Sequence, residues 1–198
     1  MDQNQAGITA ISDSIWENPE IALREFHASK IQADYLENHG FAIHWNTAGL
    51  PTAFTAEWGR GRPVIGFIGE YDALKNLSQK RQPEREPVVP GGLGHGCGHN
   101  LLGTGAVAAA AAVKTWLQST GCPGTVRYYG CPAEEILVGK VYMARAGAFD
   151  DLDAAFNFHP STKNCPSLEG SYAMNNLRFR FYGEPAHAGG SPHLGRSA

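Results

Sequence analysis

Strands alternating with helices predict an α/β fold, with a mixed, largely parallel sheet flanked by helices. Three segments carry that reading. Val64 to Ile68 is a short apolar run between Pro63 and Gly69, as in a buried strand. Leu101 to Thr120 is rich in alanine, strongly helical, and able to pack closely on a sheet. Thr125 to Tyr129 and Ala154 to Phe158 then read as strands on either side of a helix at Gly139 to Ala146.

Residues 5 to 39 read as helical, broken at Asn18-Pro19-Glu20, where proline restarts a helix in its first turn. Ile21, Leu23, Phe26, Ile31, Tyr35 and Leu36 give the apolar face, and Gly40 stops it. Phe41 to Trp45 and Thr52 to Trp58 read as strands. Residues 75 to 94 carry charges, prolines and glycines, and read as a surface loop with a solvated Lys80/Arg81/Glu84/Arg85/Glu86 cluster. Asn100 is the expected N-cap of the long helix and Gly121 its C-terminal stop. From about Gly170 the pattern changes. Asn176 to Tyr182 reads as an alternating strand, and Gly183 to Gly190 as a turn-rich segment. The chain therefore divides into a domain over residues 1–170 and the beginning of a second, smaller α+β domain over 171–198.

Composition narrows the function. The chain has 198 residues, 42% of them hydrophobic, which supports a packed core. A net charge of −3 gives no electrostatic footprint for nucleic acid. No apolar run reaches membrane-spanning length, and the N-terminus does not read as a secretory signal. Four cysteines are too few for a disulfide scaffold, so a reducing, cytoplasmic setting is expected.

The chemistry-bearing residues sit at predicted strand ends and loop mouths, where open α/β sheets place their sites. Cys97 and His99 are two residues apart in a glycine-rich loop, and Gly96 and Gly98 let both approach one metal ion. Two other readings stay open: a buried thiol beside a surface histidine, or a Cys97 nucleophile activated by His99 or His95. The dipole of the following helix favours a thiolate. Glu134 and Glu135 are neighbours that point different ways in a turn, so one can bind a metal while the other handles protons; otherwise they are a solvated pair. His159, after the apolar AAFNF run, is a ligand or a structural histidine. Asp72 either orients a ligand histidine or is a turn residue.

Taken together, GEYDAL, GHGCGHNLLGTG, GTVRYYGCPAEE, the FHP triplet and PAHAGGSPHLGRSA resemble the metal-dependent amidohydrolases of the aminoacylase and carboxypeptidase G family, in the branch of the hippurate and aminobenzoyl-glutamate hydrolases. The resemblance runs from Asn18-Pro19-Glu20 to the C-terminus. It implies a zinc-peptidase-like catalytic domain followed by a lid and dimerisation domain. It implies two divalent metal ions, zinc or manganese, held by Cys97, His99, Glu135 and His159, with Glu134 as general base and Asp72 behind the ligands. It makes His187 a substrate or oxyanion contact on the lid, in its own or a neighbouring subunit's site. The implied substrate is a small N-acyl or N-aroyl amino acid. The implied partner is a second copy or a related subunit, joined through the lid. Three departures stand out. Ile136-Leu137-Val138 follow the glutamate pair where the family usually has glycines, and the family's last ligand histidine and most of its lid domain are expected beyond Ala198. The 198-residue chain is therefore expected to be a weak hydrolase, or a fragment that binds metal or peptide without turnover.

Overall fold

A computed structural model describes residues 4–163, 165–166, 173 and 177–197. Two units are present, Met1–Thr162 and Lys163–Ala198. In the first, the elements run α1 (Gln5–Glu17), α2 (Phe26–Asn38), β1 (Ala42–Trp45), β2 (Phe54–Arg60), β3 (Val64–Glu70), α3 (His99–Thr120), β4 (Gly124–Cys131), α4 (Gly139–Arg145) and β5 (Ala154–Phe156). The five strands form one mixed sheet in the order β1-β2-β4-β3-β5. β1/β2 and β2/β4 are antiparallel, while β4/β3 and β3/β5 are parallel.

Alternation along β4 builds a core on each face. Val126 and Tyr128 join Phe54, Ala56 and Phe67 under α1, α2 and α3. Tyr129 and Cys131 face the other way, toward Ala53, Met143 of α4 and Leu152. In α3, Ala106, Val107, Ala110 and Leu117 are buried at helical spacing, and the small side chains let its backbone lie close to β3 and β4. Ile15 and Leu36 are fully buried, a burial worth roughly 1.5–3 kcal/mol per side chain.

Three local expectations change. The second helix starts at Phe26 rather than at the proline. Leu23 takes a left-handed φ of 65°, Ile21 bridges to Ala73, and the Glu20 carboxylate accepts the His27 and Ala28 amides at 3.0 and 2.9 Å, so Glu20 caps the helix from outside. At the start of α3 the cap is Gly98, at φ 79°, where a Cβ would meet Pro160 at 2.9 Å. Asn100 lies inside the helix and donates to the Ser12 hydroxyl. In the second unit Asn176 lies outside the described residues, and Leu177 to Tyr182 form no strand; they are exposed, with no neighbouring strand among the described residues to complete a ladder.

Candidate metal centre

Because β3, β4 and β5 run parallel, their carboxyl ends open on the same edge of the sheet. β3 ends at Glu70 and leads to Asp72. β4 ends at Cys131 and turns through Ala133 into a 3-10 turn at Glu134–Ile136. β5 is followed by His159, and the Cys97 loop feeds the first residue of α3, His99.

His99 is the hub. Its ring is fully buried, and Nδ1 lies 3.0 Å from both the Asp72 carboxylate and the Asp72 carbonyl. That hydrogen bond directs Nε2 toward the carboxylates, 3.1 Å from Glu70, 3.6 Å from Glu134 and 4.0 Å from Glu135. Cys97 Sγ lies 3.2 Å from His159 Nε2. Ligand atoms of Cys97, His99 and His159 fall within 4.8 Å of one another, and so do those of Glu70, His99 and Glu134. The structure thus brings Cys97, His99, Glu134, Glu135, His159 and Asp72 to one place.

His99 Nε2, Glu70 Oε2 and Glu135 Oε1 are buried without a hydrogen-bond partner. Three orphaned polar atoms converging on one spot are costly unless something satisfies them. A divalent cation does so, and the donor set of thiolate, imidazole and carboxylate suits one.

The electrostatics fit the same picture. Burial pushes His99 down, but the hydrogen bond to Asp72 and the charges of Asp72, Glu70 and Glu135 outweigh it, and its pKa ends above the ordinary value. Burial, then the nearby carboxylates, push the Cys97 thiol up to about 11. The helix dipole does not overcome them, so without a cation Cys97 is a thiol at neutral pH, which weakens the nucleophile reading. His95 cannot activate it: its ring is buried against Trp16, with Nε2 3.2 Å from the Ile15 carbonyl.

Glu70 is a site residue to which the sequence assigns no role, although it lies in the GEYDAL motif. It is 3% exposed, faces His99, and is paired on its other oxygen with Lys140. Besides its place in that motif, a charged residue closing an otherwise apolar strand is the signal it carries. In the second unit, His187 is exposed, and its Nδ1 accepts the Gly189 and Gly190 amides at 3.2 and 2.9 Å. That leaves the proton of a neutral ring on Nε2, facing outward as a donor.

The fold is that of metallopeptidase catalytic domains. The YXEP protein of Bacillus subtilis, described as a dinuclear metal binding peptidase of the M20 family, superposes with a TM-score of 0.65 at 28% identity, covering 80% of this chain and 44% of that one. The chain belongs to peptidase family M20/M25/M40, whose model matches residues 66–187. It is 50% identical over 193 residues to the B-type subunit of the p-aminobenzoyl-glutamate hydrolase of Escherichia coli (strain K12), covering 96% of this chain and 40% of the relative. It is 34% identical over 214 residues to the Xaa-Arg dipeptidase of Homo sapiens, covering 100% of this chain and 45% of the relative. The chain therefore spans less than half the length of these relatives. No helix among the described residues is long and apolar enough to cross a membrane.

Proposed function

We propose that the chain carries the metal-binding catalytic portion of a hydrolase that cleaves the amide bond of N-acyl or N-aroyl amino acids, with small aminobenzoyl-glutamate-like or dipeptide-like substrates. The observation that carries this reading is His99, locked by Asp72 on one nitrogen and offering the other, unpartnered, to a ring of carboxylates beside Cys97 and His159. Family membership and the activities of the relatives named above support it.

Cys97, His99, Glu135 and His159 are the proposed ligands of two divalent ions. The thiolate and imidazoles favour zinc, and the carboxylates also accept manganese. Such ions polarise a scissile carbonyl and acidify water. Glu134, less buried than Glu135, is the proposed general base that takes a proton from water and returns it to the leaving amine. His187 is the proposed donor to the developing oxyanion, through the outward Nε2–H that its turn sets up. Ile136 and Leu137 are 43% and 48% exposed beside the glutamate pair and offer an apolar lip for an acyl or aroyl group. The unit holding His187 is the proposed start of a lid through which the parent protein meets a related subunit. A reducing, cytoplasmic setting suits cysteines that form no disulfide.

Release of p-aminobenzoate from p-aminobenzoyl-glutamate, by the chain extended to the length of its relatives and loaded with zinc or manganese, tests the reading. Turnover that survives chelation contradicts it.

A further inference from the structure

The Glu25 carboxyl is fully buried and, among the described residues, makes no ion pair. Burying a carboxyl without a counter-ion is costly, so its partners are informative. The Thr52 hydroxyl donates to Oε2 at 2.9 Å, and the backbone N–H of Ala133 donates to Oε1 at 2.8 Å. The second contact spans 108 residues of sequence.

Ala133 is where β4 turns into the segment bearing the two glutamates. Its φ is 57°, a left-handed conformation that alanine rarely takes without support. The turn closes on itself as the Leu137 and Val138 amides donate to the Glu134 and Ala133 carbonyls at 2.7 and 3.1 Å. The Glu135 amide donates to Asp72 Oδ2 at 2.9 Å. Two side-chain carboxyl groups therefore hold the turn: Glu25 at its entrance and Asp72 at its middle. The Tyr71 hydroxyl donates to the Thr52 carbonyl at 2.6 Å. This node joins the start of α2, the approach to β2 and the end of β3.

We propose that Glu25 is a positioning residue for the hydrolytic site: by gripping the Ala133 amide it sets the direction in which Glu134 and Glu135 leave the strand. The inference rests on the metallohydrolase reading above. Glu25 itself touches no reacting group.

Four variants of the 198-residue chain test it: Glu25→Ala, Glu25→Asp, Glu25→Gln and Thr52→Val. Two readouts are taken, zinc affinity by competition with a chromogenic chelator and amide hydrogen exchange across Ala133–Val138. Glu25→Ala lowers zinc affinity and speeds the exchange, each by about tenfold or more, the scale on which groups behind a ligand act. Glu25→Gln keeps a carbonyl acceptor for Ala133 and stays within about threefold on both. Thr52→Val removes the other hydrogen bond and lowers the melting temperature, yet leaves both readouts within about threefold, which separates positioning from general stability. Where Glu25→Ala does not fold, Glu25→Asp, which withdraws the carboxyl by one methylene, shows the same loss. The role is overturned if the folded Glu25→Ala or Glu25→Asp chain keeps unmodified zinc affinity or unmodified exchange, or if Thr52→Val weakens zinc as much as they do. Absence of zinc uptake by the unmodified chain overturns the metallohydrolase reading instead, and the exchange at Ala133–Val138 still reads the grip of Glu25.

Discussion

Asp72 holds the Nδ1 of His99 at 3.0 Å through one carboxylate oxygen. Its other oxygen accepts the backbone N–H of Glu135 at 2.9 Å. One buried side chain thus sets both the tautomer of a proposed ligand histidine and the position of a proposed ligand carboxylate. Asp72→Ala should lower zinc affinity by about 10–100-fold, the usual scale for loss of such a partner. Chelator competition measures it, and an affinity unchanged in a folded variant contradicts the linkage.

Metal uptake should depend steeply on pH. The Cys97 thiol stands at about 11 without metal, and His99 is raised as well, so zinc must displace protons from its ligands. Affinity should therefore rise between about pH 6 and pH 8, by about tenfold per unit for each proton displaced. Calorimetry in two buffers of different ionisation enthalpy counts the protons, and Cys97→Ser should release fewer. A pH-independent affinity contradicts the assignment of the thiol.

The division of labour between the adjacent glutamates is separable. Glu134→Gln in the zinc-loaded, full-length parent should keep metal and lower turnover by about 10²-fold or more, as expected for loss of a general base. Glu135→Gln should lower metal occupancy. Equal metal loss in both variants contradicts the two roles.

Leu137 carries a left-handed φ of 55° where related sequences are expected to have glycine, and it is half-exposed. Leu137→Gly relieves that backbone strain but gives up the buried half of the side chain and frees the unfolded chain. These effects oppose one another, so the melting temperature should fall or stay within a few degrees rather than rise, and a rise of more than a few degrees would show that the strain dominates. If Leu137 also forms the apolar lip, the same variant raises KM for aroyl substrates more than for acetyl ones.

Glu25 gives the fold its own pH signature. Burial raises its pKa above 4.5, against the weaker pull of its hydrogen bonds. The folded chain therefore binds the proton more tightly than the unfolded chain. The stability this contributes is fully present below about pH 4.5 and is lost as pH climbs through the folded pKa. Glu25→Gln, neutral throughout, should be more stable than the unmodified chain at pH 7, with the advantage shrinking toward pH 4.5. Melting curves across that range check the sign.

What can be read from sequence follows from what is local. The alanine spacing of α3, the apolar runs of β3 and β4 and the stop at Gly121 are set by neighbours in the chain, and each lies within a few residues of its expected place. The late start of α2 depends on Ile21 pairing with Ala73, which no local pattern announces. Asn100 is a sound cap by residue type, but Gly98 adopts the left-handed turn and the asparagine finds Ser12 instead. At the site, the residues that lie in motifs stand out. Glu70 lies in GEYDAL, yet its significance comes from facing His99, a contact the motif does not announce, and Glu25 lies 108 residues in sequence from the Ala133 amide it holds.

One cation is proposed to join the Cys97 loop to His99 and His159, whose ligand atoms already lie within 4.8 Å of one another. Crystals of the zinc-loaded chain, measured at the zinc absorption edge, test this most directly. An anomalous peak is expected about 2.0–2.3 Å from Cys97 Sγ, His99 Nε2 and a His159 nitrogen. Zinc bound elsewhere on the chain, with no peak between these three side chains, would contradict it.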